Sequence, residues 1–459
     1  MFRGVRLLIG MGLCSAAVMS QPGSDIDLVR AIYKELIEID TTDATGDNTK
    51  AAEAMAARLL AAGFPEQDVR VIGPHPQKGN LVARFRGTGE RRPILLLAHL
   101  DVVDARREDW SFDPFVLTEH DGYFYGRGTI DDKAMAAIWI ETFIRLKQEG
   151  FHPRRDLIVA LTADEEGGRF NGVEWLLQNH RDLIDAEFCL NEGANGQLKS
   201  GKPLLLGVQA SEKMYQTFAI EVRNRGGHSS RPRKDNAIYI LADGLRRLEA
   251  YDFPARLDAV TRAYYAAAAE LYSGQVGADM AAAARPRPDR KAIERLSESA
   301  YDNALLRTTC VATRLEAGHA DNALPQTARA TVNCRILPGD SPDEVHRALA
   351  RIMDDSRIAV RPLDEARPSP PSPLAPEILS PIEQTAAHIW PGVPVVPVMS
   401  TGATDGAHLR RAGIPTYGVS GLFGDVGDDR AHGKDERLGV RQFYEGREFL
   451  YRLVQAFSK

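Results

Sequence analysis

Cysteine is scarce in this 459-residue chain: Cys14 lies near the start, and only Cys189, Cys310 and Cys334 follow. None forms a C-x-x-C pair, which argues against a structural zinc knuckle or a thioredoxin-like redox motif. An excess of basic charge is also missing. The 57 Lys and Arg stand against 63 Asp and Glu, a formal net charge of −6. That balance gives no basis for a nucleic-acid groove or a polybasic membrane patch. Beyond residue 19 no apolar run is long enough to cross a bilayer, and there is no internal repeat.

The apolar run that does exist is N-terminal. Arg3 and Arg6 precede residues 7–19, and small residues follow before the polar QPGSD. This is the layout of a secretory signal peptide, with cleavage expected after Ser20. Leu13 is bulkier than a lipid-attachment site at Cys14 usually allows. The processed chain is therefore expected to be exported, periplasmic or secreted, and free of the membrane. Cys310 and Cys334 sit in two strand-like runs whose loop centres near Asn322. Paired as a hairpin, the two would face each other, either as a disulfide in an oxidising compartment or as two buried thiols.

Apolar patterning predicts helices over 26–39 and 50–62 and strands over 69–72, 81–86 and 94–97. Further strands, 157–162 and 188–190, each follow a helical stretch, so the first part reads as an α/β domain with a mostly parallel sheet. After residue 212 the pattern changes. Half-exposed strands at 215–222, 306–315, 328–336 and 358–361, with helices at 235–250 and 342–354, give a β–α–β–β–α–β order. That order is similar to a ferredoxin-like sandwich with one sheet face open to a partner. An alanine-rich stretch, 251–303, interrupts it as a helical insertion, and a proline-rich linker at 366–376 leads back to the first domain. The expected domains are a signal peptide (1–20), a catalytic domain in two parts (21–212 and 363–459) and an inserted α+β domain (213–362).

Ionisable residues stand where the buried strands end. The first, 94–97, runs into His99 and Asp101, which at strand spacing leave the same face of the backbone. An isolated H-x-D is most often a capped strand end; as part of a set it suits a metal ligand whose other ring nitrogen is held by a carboxylate. Asp164, Glu165 and Glu166 follow the strand 157–162, and Glu192 follows 188–190. Carboxyl ends of strands are where sites assemble in open α/β sheets. The loop 126–133, GRGTIDDK, adds Asp131 and Asp132; its glycine spacing is wrong for a phosphate loop. Acids crowded without basic partners repel, and a dication resolves this. Imidazole with carboxylate suits zinc better than calcium or magnesium. One His, three acids and a later His exceed a tetrahedral site and fit two metals with a bridging carboxylate. His408 and His432 are the candidates for the late ligand, and His432 lies in the acidic, glycine-punctuated DDRAHGKDER. Of the adjacent Glu165 and Glu166, one can bind metal while the other stays free as a general base.

In order, the motifs HLD, GRGTIDDK, DEE, LNEG, GGHSSRP and AHGKDER resemble the di-zinc exopeptidase and amidohydrolase family of aminoacylase, glutamate carboxypeptidase and succinyl-diaminopimelate desuccinylase. GGHSSRP and HGKDER are most similar to its carboxypeptidase S-like branch. The resemblance covers essentially the processed chain and implies a zinc-exopeptidase-like sheet domain carrying an inserted lid and dimerisation domain. It implies two Zn2+ per subunit, with Co2+ or Mn2+ compatible: His99, Asp131 and Glu192 on one, and Asp131, Glu166 and His432 on the other. It makes Asp101 the residue that orients His99, Glu165 the general base, and the Asp131–Asp132 peptide cis. His228 would stabilise the oxyanion in the active site of a partner subunit, so a homodimer is implied. Asn322, Arg335 and Thr404 match substrate-contact positions, with Arg335 suited to a terminal carboxylate. The expected activity is cleavage of an amide bond in a peptide C-terminus or an N-acyl amino acid. The rival readings are a metallo-aminopeptidase or dipeptidase, and a non-catalytic binding module on the same fold.

Overall fold

Branched and apolar residues in short runs build a ten-stranded mixed sheet. The structure is a computed structural model describing residues 22–459, so the expected signal peptide lies outside the described residues. Across the sheet the strands run Val69–Ile72, Asn80–Phe85, Arg155–Thr162, Arg91–His99, Phe188–Asn191, Thr416–Gly418, Lys202–Glu212, Gly196–Lys199 and Phe423–Asp425, with Val395–Ser400 also paired to Lys202–Glu212. Arg91–His99 lies at the centre, parallel to Arg155–Thr162 on one side and to Phe188–Asn191 on the other. Ile94 to Ala98 are buried because helices cover both faces. On one face lie the helices Pro22–Glu38, Asn48–Ala61, Lys133–Gln148 and Val440–Ser458; on the other, Gly172–Asn179 and the short Gly406–Arg411 close a smaller cluster. Lys133–Gln148 is buried nearly all round, which its AMAAIWIETFI sequence requires.

The smaller unit is a four-stranded antiparallel sheet in the order Thr309–Ala317, Thr327–Ile336, Met214–Arg223, Ile358–Pro362. Helices Ala237–Glu249 and Pro342–Met353 pack on one face over Phe218, Ile220 and Val332, with Leu349 of the second helix buried among them. In chain order this is the β–α–β–β–α–β arrangement read from the sequence. Cys310 and Cys334 are register partners joined by a disulfide that ties the edge strand to its neighbour. Cys189 is free and buried.

The insertion behaves differently from the unit it interrupts. Its helices, Ala259–Leu271, Gly274–Ala283, Arg290–Leu296 and Ala300–Leu306, return to the large sheet, where Ala259–Leu271 packs on Val395–Ser400. Val260, Tyr264, Tyr265, Ala268 and Met280 belong to the large hydrophobic core. An alanine-rich helix with one apolar stripe must bury that stripe, and the small sheet's covered face is already occupied by two helices. Structurally, then, the stretch read as part of the inserted domain belongs with the large one. The eleven-residue strand Lys202–Glu212 and the helix Pro376–Ile389 also extend the elements read from the sequence. No helix among the described residues is long and apolar enough to cross a membrane.

Candidate metal centre

Four residues from four separate segments of the chain meet at the carboxyl ends of the central strands. His99 closes the strand Arg91–His99 and is 2% exposed. Its Nε2 lies 2.9 Å from Asp131 Oδ1. Nδ1 lies 2.9 Å from the backbone oxygen of Asp101, while the Asp101 carboxylate is 3.7 Å away. That carboxylate instead accepts the backbone N–H groups of Glu165 and Glu166, at 3.1 and 2.9 Å. Asp101 therefore touches His99 through its main chain and the DEE turn through its side chain.

Asp131 is the meeting point. His432 Nε2 lies 3.2 Å from its Oδ2 and 2.8 Å from Glu166 Oε1. One ligand atom each from His99, Asp131 and Glu166 falls within 4.8 Å of the others. The Asp131–Asp132 peptide is cis. Gly128, at φ +86°, gives the preceding loop a turn that a side chain would strain, and a Cβ there would meet Lys133 at 2.9 Å. Glu192 stands just outside this group; its carboxyl is pushed well up by burial and then by the charges of Asp131 and Asp132. His408 is elsewhere: it faces Arg411 at 2.8 Å, and burial with that guanidinium takes it down to about 4.

The electrostatics are those of a site short of positive charge. Hydrogen bonds to Asp131 and Glu166 raise His432 to about 10. Burial works to raise Asp131, but hydrogen bonds from His432 and His99 hold it well below the usual carboxylate range. Burial, followed by the charges of Glu192, Asp405 and Glu166, pushes Glu165 well up despite nearby His99. Two imidazole nitrogens aimed at the two oxygens of one carboxylate, with a second carboxylate touching one of them, are a donor set that could hold a divalent cation.

Two supporting groups were given no role from the sequence, although Glu436 lies within AHGKDER. Glu436 is fully buried and binds Arg127 Nη1 at 2.7 Å, the Gly128 and Ile130 N–H groups at 3.1 and 2.8 Å, and Asp131 N–H at 3.3 Å. It fixes the Asp131 loop to the loop carrying His432. Asp405, held by Asn171 at 2.6 Å and Thr162 at 3.2 Å, is raised by burial to about 6. An arginine between two loop glycines and an Asp-Glu-Arg triplet were the available signals, but neither reveals its partner.

The remaining candidates lie away from this cluster. His228 is exposed in a two-residue strand paired with Ala323–Leu324, and the neighbouring Ser229 N–H donates to Asn322 O at 3.0 Å, so His228 and Asn322 share one corner of the small unit. Arg335 lies in the strand Thr327–Ile336 with its guanidinium 4.9 Å from the Tyr215 ring. Thr404 is in the large unit, where its N–H and hydroxyl bind Glu212 Oε2 at 3.0 and 2.9 Å.

A mixed sheet with two histidines and two carboxylates converging at its strand ends is the framework of a metallo-hydrolase. Residues 95–456 match Peptidase family M20/M25/M40, and the chain belongs to that family. The N-fatty-acyl-amino acid synthase/hydrolase PM20D1 of Xenopus tropicalis is 32% identical over 403 residues, spanning 85% of this chain and 78% of that protein. The Probable carboxypeptidase S-like 2 of Dictyostelium discoideum is 29% identical over 404 residues, 83% and 75% of the two chains. In fold, the M20 family metallo-carboxypeptidase Sso-CP2 of Sulfolobus solfataricus superposes with a TM-score of 0.69 at 17% identity, covering 94% of this chain and 99% of its own.

Proposed function

We propose that this enzyme is an exported amidohydrolase that uses two divalent cations, zinc best suiting the donors, to cleave a peptide C-terminus or an N-acyl amino acid. The observation that carries the reading is the convergence of His99, Glu166 and His432 on Asp131, with half-buried Glu165 beside them. His99, Asp131 and Glu192 would hold one cation, and Asp131, Glu166 and His432 the other. When bound, such cations supply Lewis acidity, making a water more acidic and drawing electrons from the amide carbonyl. Glu165 takes the proton from the attacking water and returns it to the leaving amine. The raised affinity of its half-buried carboxyl for a proton suits that exchange. Asp101 orients the ligand loop, through its carbonyl on His99 and its carboxylate on the DEE turn.

His228 and Asn322 form one corner of the inserted unit and serve a partner's site, His228 stabilising the oxyanion. The exposed edge strand Thr309–Ala317, with Val311 60% and Leu315 65% exposed, supports a homodimer through this unit. Arg335 is the group for a substrate carboxylate, and Thr404 lines the pocket from the large unit. The substrate class is supported by relatives named for N-fatty-acyl amino acids and for carboxypeptidase S.

The test is metal content per chain and hydrolysis of a panel of N-acyl amino acids and C-terminal peptides, before and after chelation. Two metals with chelator-sensitive turnover are expected. Glu165→Gln should keep both metals and lose about two to four orders of magnitude in kcat. Unchanged turnover in that variant removes Glu165 from the role, and a chain that binds no metal overturns the reading.

A further inference from the structure

The turn bearing Glu165 and Glu166 is braced from a segment nearly ninety residues upstream. We propose that Lys78 is a positioning residue for this turn, setting the placement of the base and of one ligand; this rests on the reading of Glu165 and Glu166 given above.

Asp164, directly before the two glutamates, has a left-handed backbone at φ 59° and a side chain 1% exposed. Its carboxylate accepts Lys78 Nζ at 2.5 Å on one oxygen and Phe170 N–H at 3.1 Å on the other. The second bond closes the turn 164–170 on itself. A buried carboxylate holds that shape only with a cation beside it, and the partner here is Lys78, itself 7% exposed. Two residues on, Asn80 Oδ1 accepts Ala163 N–H at 2.9 Å, and Asn80 Nδ2 donates to Ile72 O at 3.1 Å. From the opposite side the Asp101 carboxylate takes the N–H groups of Glu165 and Glu166. Held behind by Lys78 and Asn80 and in front by Asp101, the turn has its backbone set before any ligand arrives.

Lys78 also joins this turn to the other ligand loops. Its second partner is Asp43 Oδ1 at 2.8 Å. Asp43 belongs to the stretch 39–47, whose Thr41 hydroxyl donates to Leu100 O at 2.7 Å and whose Thr41 carbonyl accepts Val102 N–H at 3.4 Å. Lys133, which follows the Asp131–Asp132 pair, donates Nζ to Ile39 O at 2.8 Å. One connecting loop therefore touches the backbone beside His99 and Asp101 and the lysine after Asp131–Asp132. Through Lys78 it also reaches the Glu165–Glu166 turn.

The experiment compares wild type, Lys78→Met, Lys78→Arg and the double variant Lys78→Met/Asp164→Asn as full chains. In metal-free protein, amide exchange over 163–171 should quicken at least about tenfold in Lys78→Met while the central strands stay protected. Zinc affinity, read by competition with a chromophoric chelator, should fall about 10–100-fold at the weaker site, as it does when outer hydrogen-bond partners of ligands are removed. In turnover, kcat should fall more than KM changes, and Lys78→Arg should recover most of each loss. The double variant leaves no unpaired buried charge, so it keeps the test available if Lys78→Met fails to fold. Wild-type exchange rates over 163–171 in either folded variant overturn the brace. Wild-type protein that binds no zinc overturns the reading of Glu166 as a ligand, and the exchange comparison still decides the brace.

Discussion

Removing metal should invert the dependence of stability on pH, and the geometry around His432 sets the sign. In metal-free protein His432 sits between Asp131 and Glu166 and is raised to about 10. Its ordinary value is about 6.5, so its stabilising contribution is complete below about pH 6.5 and is lost as pH climbs toward 10. Glu165 and Glu192, both pushed well up by burial, act in the same direction: their protonated forms favour the folded state, and stability falls as pH rises through their folded values. Asp131, held low, has its full contribution above about pH 4, loses it only on acidification, and so is constant in this window. Unscreened, the His432 shift would be worth several kcal/mol, but its side chain is 53% exposed, so about 1 kcal/mol is the reasonable share. For a chain of this size that is about 1–2 °C in Tm from His432 alone, with the two half-buried glutamates adding to it. Ligation needs neutral imidazoles and ionised carboxylates, so added zinc should stabilise more at pH 8.5 than at pH 6. The assay is thermal unfolding from pH 6 to 9.5, chelated and zinc-replete, with His432→Asn as control. A chelated curve that is flat or rising over this range, or a zinc increment independent of pH, refutes the reasoning.

Two further outcomes follow from contacts between loops. Arg127→Met leaves Glu436 buried with only backbone N–H partners; breaking such a pair should cost about 3–5 kcal/mol, read as a lower urea midpoint together with weaker zinc binding, and an unchanged midpoint would show that the pair contributes nothing. If His228 acts in the partner's site, then His228→Ala and Glu165→Gln, each nearly inactive alone, should regain up to about a quarter of wild-type activity when mixed and allowed to exchange subunits; no recovery in exchanged dimers would confine His228 to its own subunit.

The central strands were legible because they are nearly continuous apolar runs, and their ends were legible because His99, the Asp164–Glu166 triplet and Glu192 break those runs abruptly; Asp131 stood out instead in a glycine-punctuated loop. His432 was separable from His408 by its acidic, glycine-rich surroundings, and only the fold shows that it reaches Asp131 while His408 faces Arg411. The alternation of the small unit gave its order of elements along the chain, and placing Cys310 opposite Cys334 needed only the hairpin midpoint. Lys202–Glu212 escaped notice because PLLLGVQASE contains a glycine and then polar residues, so neither a period of two nor an unbroken apolar run marks it. The insertion was legible as helices but not as to which core they join, because an apolar stripe does not name the surface that will cover it.

The supporting residues were illegible for a further reason. Glu436 meets Arg127 across 309 residues of chain, and Lys78 meets Asp164 across 86. Neither lies at the end of an apolar run, and a charged residue in a loop is ordinarily solvated. What distinguishes these two is burial, which follows from tertiary packing. A site this rich in carboxylates is stable only with fixed cations and backbone donors around it. His99 and Glu192 stand at the ends of hydrophobic strands and can be recognised there as candidates, whereas Arg127, Glu436 and Lys78 can be recognised only by the charges they are folded against.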